Sequence, residues 1–235
     1  MDNLIYDIGN SQVKKAIFSG RELKNTEIFS FHAGRISEEL QSANYNILIA
    51  SVIHPDELNK IKNSQSFLLT PSTRLPIKNN YQTPETLGHD RLANAVAIHQ
   101  LSKGKNALAV DCGTCLKFDL VINGAYVGGS IAPGLKMRFA ALHNFTGKLP
   151  LIEQEVFPNP VGKNTRESIL AGCYNGMASE IQQTIHDLQN QYGELDIYFT
   201  GGDFSFFADK YKNCIFADPF LTLKGLNEIL LFQNS

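Results

Sequence analysis

The stretch Leu4-Ile-Tyr-Asp7-Ile-Gly9-Asn10-Ser11-Gln-Val-Lys14 returns in altered form as Leu108-Ala-Val-Asp111-Cys-Gly113-Thr114-Cys-Leu-Lys117. Each copy reads as an apolar strand that ends in Asp-x-Gly and a polar residue, followed by a second strand. A glycine closes both copies, in Ser19-Gly20 and in Asn123-Gly124, and such dipeptides indicate tight hairpin turns. The alternative is a coincidence between two ordinary hairpins. Because the aspartate, both glycines and the polar residue all agree, we favour an internal repeat.

The residue types at each turn are suited to binding phosphate. Glycine lets backbone N–H groups approach an anion, and Asn, Ser or Thr beside it adds a side-chain donor. An aspartate at the end of the strand can hold a cation that offsets phosphate charge. Two hairpins of this kind predict a clamp around a triphosphate. The sequence has no Walker loop, because Gly162-Lys163-Asn164-Thr165 lacks the upstream glycine and a hydroxyl residue directly after the lysine.

The rest of the chain alternates strand and helix patterns. We predict strands over 47–52, 66–69, 126–134 and 195–200, and helices over 87–102, 165–192 and 221–232. In the first helix Leu92, Val96 and Leu101 fall on one side, and in the second Asn164 and Glu167 form a capping pair. The glycine pair after residue 200 either lets adenine approach the backbone or makes a plain tight turn. The pattern predicts an α/β fold of two similar lobes, residues 1–106 and 107–235, with an ATP cleft between them.

Composition narrows the function further. Hydrophobic residues make up 43% and charged residues 19%, with a net charge of −2, which is ordinary for a globular protein with a core. Lysine and arginine are scattered, so we expect no nucleic-acid partner. We also expect no membrane span and no secretory signal, and therefore a cytoplasmic protein. Cys112 and Cys115 form a C-x-x-C, but neither Cys173 nor Cys214 supplies a second pair, so we favour buried thiols over a zinc or redox site.

The motifs together resemble the type III pantothenate kinase family. Asp7 to Lys14 is similar to its D-x-G-N-[ST]-x-x-K, and Asp111 to Asp119 is similar to its D-x-G-T-A-x-T-x-D. Further matching motifs, in the family's order, are Tyr81-Gln-Thr-Pro84, Gly88-His-Asp90-Arg91-Leu-Ala-Asn94, Gly128-Gly-Ser-Ile131-Ala-Pro-Gly134, Thr146-Gly-Lys-Leu-Pro150, Gly162 with Thr165, Thr200-Gly-Gly-Asp203 and the segment from Asp218 to Leu226. The resemblance therefore covers nearly the whole chain.

The resemblance implies an enzyme that phosphorylates pantothenate with ATP and Mg²⁺ at the start of coenzyme A synthesis. It implies two ribonuclease-H-like lobes of the actin-like ATPase fold, a homodimer, and a monovalent cation, K⁺ or NH₄⁺. The N-terminal lobe would carry the first phosphate hairpin and the catalytic motif, and the C-terminal lobe the second hairpin and the adenosine motif. The ATP contacts it implies are Asp7, Ile8, Gly9, Asn10, Ser11, Gln12, Val13, Lys14 and Thr114. The pantothenate contacts it implies are Tyr81, Gly88, His89, Asp90, Arg91 and Thr165.

Two residues carry the chemistry in this interpretation. Asp90 would be the general base, because phosphoryl transfer to an alcohol needs a carboxylate that orients and deprotonates the hydroxyl. Asp111 would be the ligand of the monovalent cation. Arg91 can hold a substrate carboxylate with two parallel hydrogen bonds. Taken by themselves, Asp90 and Arg91 would read as a helix-capping acid beside a surface arginine.

Lys117 departs from the family pattern, which usually has threonine at this position. It either points inward, where its charge would replace the cation, or faces solvent or pairs with Asp119. We expect dependence on potassium, because Asp111 is retained. Two different functions stay open at this point: phosphorylation of another small molecule by a kinase of the same superfamily and, more distantly, a non-catalytic role as a transcription accessory factor.

Overall fold

The computed structural model describes residues 1–9, 12–42, 44–61, 63–211 and 215–235. The chain forms two units, one of residues 1–101 with 220–235 and one of residues 102–219. The last segment, expected from the sequence in the C-terminal lobe, belongs by its contacts to the first unit. No helix in the described part of the chain is long and apolar enough to cross a membrane.

Strands form the centre of each unit. In the first unit they are β1 (Asn3–Ile8), β2 (Val13–Ser19), β3 (Glu22–Phe29), β4 (Asn46–Ser51), β5 (Ser66–Leu68) and the two-residue β6 (Lys78–Asn79). In the second unit they are β7 (Ala107–Cys112), β8 (Cys115–Ile122), β9 (Ala125–Pro133), β10 (Asp196–Thr200) and β11 (Ile215–Ala217). The predicted strands are confirmed with shifts of a residue or two at their ends, as is usual at element boundaries.

Helices flank the strands. They are α1 (Ala33–Ser42), α2 (Pro55–Ile61), α3 (His89–Leu101), α4 (Leu135–Asn144), α5 (Thr165–Leu170), α6 (Gly176–Tyr192) and α7 (Leu221–Gln233). The α/β class predicted from the sequence is thus confirmed. The single long helix expected over 165–192 contains a π-helical turn, Ala171–Asn175, between α5 and α6. Of the three apolar residues predicted to share one side of α3, Leu92 and Val96 are buried, whereas Leu101, the last residue of the helix, is 43% exposed.

The two sheets repeat one topology. The first sheet has the order β3-β2-β1-β4-β5, and the second contains the run β9-β8-β7-β10-β11. In the first sheet β1 is antiparallel to β2 and parallel to β4. In the second sheet β7 is likewise antiparallel to β8 and parallel to β10. The internal repeat inferred from the two hairpin sequences is therefore confirmed. Asn123 (φ 50°) and Gly124 (φ 74°) form the turn between β8 and β9, in the left-handed conformation that a primed hairpin turn needs.

Each unit has its own apolar core. In the second unit Ile169, Cys173, Met177 and Ile181, which form an apolar stripe along the long helix, are buried against β7, β8 and β10. In the first unit α7 packs against α3 and β1. The side chain of Asn227 on α7 accepts a hydrogen bond from Asn3 Nδ2 at 2.7 Å, and Thr222 Oγ1 donates to Asn94 Oδ1 at 2.8 Å. These buried polar contacts fix α3, which carries the predicted catalytic motif, relative to the first sheet.

Candidate active site

The first hairpin presents a charged pair at the end of β1. Asp7 lies opposite Lys14 on β2, and both residues are half-buried. Ile8 and Val13, the last and first residues of the two strands, are buried and anchor the turn. Within the turn, Gly9 donates its N–H to the Gln12 carbonyl at 3.0 Å, and the Gln12 side chain is exposed. Asn10 and Ser11, which the sequence also assigned to ATP, lie outside the described residues.

The predicted catalytic motif forms the first turn of α3. Asp90 is the second residue of the helix and is half-buried, and its Oδ1 accepts the Arg91 backbone N–H at 2.9 Å. The helix N-terminus favours the negative charge of this carboxylate. Gly88 precedes the helix, and a Cβ there would lie 2.6 Å from Asp90 Oδ1. Only glycine therefore leaves the carboxylate in its place, which gives the Gly-x-Asp spacing a steric reason.

Arg91 follows Asp90 in this turn and faces Tyr81. It is only 5% exposed, and its guanidinium carbon lies 5.7 Å from the centre of the Tyr81 ring. The distance is within the range of a cation–π contact, which orients the planar guanidinium. A buried guanidinium with this fixed orientation suits a planar carboxylate better than a surface arginine would. The alternative of a mere surface arginine is therefore wrong.

His89 connects the motif to the end of the sheet. Its imidazole lies near the backbone of Ser51, and Ser51 is paired with Ile8 at the ends of β4 and β1. The catalytic turn therefore lies at the same edge of the first sheet as Asp7. Burial lowers the pKa of the His89 imidazole, although the charge of Asp90 and the backbone of Ser51 act in the opposite direction. His89 is thus held neutral beside Asp90 near pH 7.

The second hairpin repeats the charged pair, with a direct contact. Lys117 lies opposite Asp111, and its Nζ is 2.8 Å from Asp111 Oδ2. The two side chains are 13% and 10% exposed. Asp119, the other acid considered as a partner for Lys117, is fully buried and accepts a hydrogen bond from Tyr126 at 2.9 Å. Lys117 therefore points inward, at the carboxylate that the sequence assigned to a cation.

The turn of the second hairpin is built against two glycines. Thr114 is exposed at its tip, and its carbonyl accepts the Gly134 N–H at 3.2 Å. A Cβ at Gly134 would lie 2.3 Å from the Gly113 carbonyl oxygen. At Gly201, which has a φ of +90°, a Cβ would lie 2.4 Å from the Cys112 carbonyl and 2.6 Å from Asp111 Oδ1. The first glycine of the Gly-Gly pair thus serves a tight turn against β7, whereas a Cβ at Gly202 would meet open space.

Asp203 is a site residue that was not among the candidates chosen from the sequence. Burial raises the pKa of its carboxyl, and the charge of Asp111 adds to this, while Gln154 and Lys136 act to lower it. Asp203 is therefore close to both Asp111 and Lys136 in the second unit. The Gly-Gly-Asp motif signalled Asp203. Lys136 had no signal, because no pattern in the sequence predicted α4.

These charges decide whether a monovalent cation fits at Asp111. The Asp111 carboxylate already has the Lys117 ammonium beside it, and the neighbouring Asp203 carboxyl is influenced by the Lys136 ammonium. An added ion at Asp111 would stand about 4 Å from the Lys117 ammonium, where two positive charges repel by about 4 kcal/mol at an effective dielectric of about 20. No group of three or more His, Cys, Asp or Glu that could hold a metal occurs among the described residues. The residues present do not fit a monovalent cation.

Thr165 begins α5, on the second unit. Asn164 caps this helix by accepting the Glu167 N–H at 2.9 Å, and Glu167 in return accepts the Lys163 N–H at 2.8 Å. The predicted capping pair is confirmed. Thr165 is exposed on this fixed turn, whereas the pantothenate contacts predicted at residues 81 and 88–91 belong to the first unit.

The cysteines lie in and beside the second core. Cys112 and Cys173 are buried and Cys115 is half-buried, and burial raises the pKa of the Cys112 and Cys173 thiols. Cys115 begins β8, so the C-x-x-C joins two strands and does not open a helix. Cys214 lies outside the described residues.

Comparison with known proteins decides the family. The sequence model of the family described as type III pantothenate kinase matches residues 3–187. The chain belongs to the type III pantothenate kinase family. A protein of Bacteroides fragilis named type III pantothenate kinase is 42% identical over 99% of this chain and 98% of its own.

Solved structures agree on the fold. A Campylobacter jejuni protein, described as a putative Baf family transcriptional activator, has a TM-score of 0.65 at 22% identity, over 98% of each chain. A putative N-acetylmannosamine kinase of Listeria monocytogenes has a TM-score of 0.61 at 14% identity, over 100% of both chains. The predicted fold class, that of the actin-like kinases and ATPases, is confirmed.

Proposed function

We propose that this type III pantothenate kinase transfers the γ-phosphoryl group of ATP to the primary hydroxyl of pantothenate, giving 4′-phosphopantothenate and ADP. The reaction opens coenzyme A synthesis. The observation that carries the proposal is the turn Gly88 to Arg91, which sets a carboxylate and a buried guanidinium side by side at the edge of the first sheet. A hydroxy acid such as pantothenate needs both groups, one for its hydroxyl and one for its carboxylate.

Asp90 is the general base. Its carboxylate accepts the hydroxyl proton as the hydroxyl oxygen bonds to the γ-phosphorus, and the bond from that phosphorus to the β–γ bridging oxygen breaks. The bridging oxygen leaves with its electron pair on ADP. Asp7 is the carboxylate that would hold the Mg²⁺ accompanying ATP, directly or through water, and the ion would offset phosphate charge. Most of the rate enhancement comes from this positioning and charge compensation.

Each hairpin offers groups that suit phosphate binding. In the first, the backbone of Gly9 and the Lys14 ammonium contact the triphosphate, together with the rest of the segment from Asp7 to Lys14. In the second, Thr114 offers a hydroxyl at the tip of the turn. Glycine-rich turns at strand ends supply such contacts without a helix dipole or a Walker loop.

Arg91 binds the carboxylate of pantothenate, and Tyr81 positions Arg91 through the ring contact described above. Gly88 leaves room for the substrate, while neutral His89 hydrogen-bonds to its polar groups. A substrate without a carboxylate would forgo a charge-assisted contact in a desolvated site, so the enzyme should discriminate against it.

Pantothenol, which has an alcohol in place of the carboxylate, tests this assignment. We expect ADP release with pantothenate, and at least about a tenfold lower kcat/KM with pantothenol. Arg91→Gln should bring the kcat/KM values for pantothenate and pantothenol closer together, because the neutral glutamine amide has no preference for an anionic group. The alternative function, phosphorylation of a different small molecule, is tested with glucose and N-acetylmannosamine as acceptor substrates. ADP release that follows a sugar and ignores pantothenate would establish that alternative.

We also propose a homodimer that acts in the cytoplasm, where ATP is made, without a nucleic-acid or membrane partner. The long helix that begins at Thr165 is rich in apolar residues and would be a natural contact, but most of its apolar side chains are buried in the core of its own unit. Exposed apolar side chains that could replace it include Phe145 (88% exposed), Val161 (73%) and Leu151 (63%). Light scattering at micromolar concentration should give about twice the chain mass of 26.1 kDa. A mass equal to one chain would refute the dimer.

A further inference from the structure

We propose that the Lys117 ammonium supplies the positive charge at Asp111 that relatives would take from potassium or ammonium, so that catalysis by this chain needs no monovalent cation. The inference rests on the proposed function and deepens it. It reverses the expectation of potassium dependence that was drawn from Asp111.

The contact itself is the first support. Lys117 Nζ lies 2.8 Å from Asp111 Oδ2, and both side chains are close to nine-tenths buried. The residues stand directly opposite each other on β8 and β7, so the pairing is set by strand register and does not depend on a flexible loop. A lysine in this place carries one unit of charge, as a potassium ion would, and it donates hydrogen bonds to the same carboxylate.

The second oxygen of Asp111 lies beside two glycines. A Cβ at Gly201 would lie 2.6 Å from Asp111 Oδ1, and a Cβ at Gly113 would lie 3.1 Å from it. Oδ1 is therefore packed against the backbone of two glycines, while Oδ2 faces Lys117. A weakly hydrated cation needs several oxygen ligands, and one oxygen of this carboxylate is already taken by the Lys117 ammonium.

The internal repeat supports the inference independently. Lys14 stands opposite Asp7 in the first hairpin as Lys117 stands opposite Asp111 in the second. The strand-end aspartate thus faces a lysine in both copies. Lys117 occupies the position in the second hairpin that Lys14 occupies in the first, opposite the aspartate and beside the glycine turn. Lys14 is the residue proposed to contact the triphosphate, and Lys117 has the same side chain. The two hairpins then compensate phosphate charge by the same means.

Turnover in different salts tests the proposal. For the wild type we expect kcat to agree within about twofold in potassium, ammonium, sodium and choline chloride at equal ionic strength. For Lys117→Thr, which opens the position, we expect at least about a tenfold loss in choline, with recovery in potassium or ammonium. Lys117→Met fills the position without charge and should be slow in every salt. Lys105→Thr, at an exposed lysine of the same unit, should behave as the wild type.

A readout without catalysis separates this proposal from the proposed function. The thermal midpoint with a non-hydrolysable ATP analogue should be the same in potassium and choline for the wild type, and higher in potassium for Lys117→Thr, because only that variant binds the ion. A wild-type midpoint or kcat that falls sharply without potassium overturns the proposal. A wild type that phosphorylates no pantothenate in any salt would refute the proposed function, and the midpoints would still decide the cation question.

Discussion

Asn in place of Asp90 is expected to lower kcat by about 10²–10⁴ while leaving the fold intact. The amide is nearly isosteric with the carboxylate and keeps an oxygen that can accept the Arg91 N–H, but it cannot take the proton of the substrate hydroxyl. Since binding of pantothenate rests on Arg91, KM should change far less than kcat. The measurement is steady-state ADP release with saturating ATP, over a range of pantothenate concentrations.

The matched control for this variant is Asp56→Asn. Asp56 also lies in the first turn of a helix of the same unit, α2, but its side chain is exposed and is not part of the site. Both substitutions remove a negative charge from a helix N-terminus, at a cost of about 0.3–1 kcal/mol in stability. The control variant should keep wild-type turnover. Near wild-type kcat for Asp90→Asn would remove Asp90 from the mechanism.

Gly225→Ala is expected to destabilise the protein by about 3 kcal/mol, at the upper end of the cost of overpacking a core. Gly225 lies on α7 at its closest approach to α3, where an added Cβ would lie 1.8 Å from the Ala93 carbonyl oxygen and 2.5 Å from its carbon. Backbone atoms cannot rotate away as a side chain does, so the two helices must separate. Because α3 carries Asp90 in its first turn, activity should fall together with stability.

Gly176→Ala, in contrast, should stabilise the protein. Gly176 begins α6 with helical dihedral angles, and nothing lies within 4 Å of an added Cβ. Alanine there restricts the unfolded chain at no steric cost, which stabilises by about 0.4–1 kcal/mol. Thermal unfolding measures the stability change of each variant, because 1 kcal/mol shifts the unfolding midpoint by roughly 2–4 °C for a chain of this size. Equal midpoints for the two variants would contradict the close helix contact.

The hairpins were predictable because their signals are local. An apolar run, Asp-x-Gly and a closing glycine specify two strands and two turns within about twenty residues, and Asn123-Gly124 adopts the positive φ angles that its type suggests. The catalytic turn was also predictable, since Gly88, Asp90 and Arg91 are near neighbours in sequence. The steric limit at Gly88 and the hydrogen bonding at the N-terminus of α3 then determine the conformation of this turn.

The features that could not be predicted depend on long-range packing. Short helices such as α1, α2 and α4 are stabilised by tertiary contacts more than by their own pattern. The direction of Lys117 followed from strand register, which placed Asp111 opposite it, and register is invisible until the pairing partner is known. Lys136 reached the site only because α4 starts beside the second hairpin turn, at Gly134.

The most direct test of the proposed reaction is ³¹P NMR of the purified wild-type protein with ATP, Mg²⁺ and pantothenate. One new phosphomonoester resonance should appear, coupled to the protons of the primary carbinol carbon of pantothenate, with one ADP formed for each. Consumption of ATP that yields only inorganic phosphate, or that proceeds equally without pantothenate, would contradict the account.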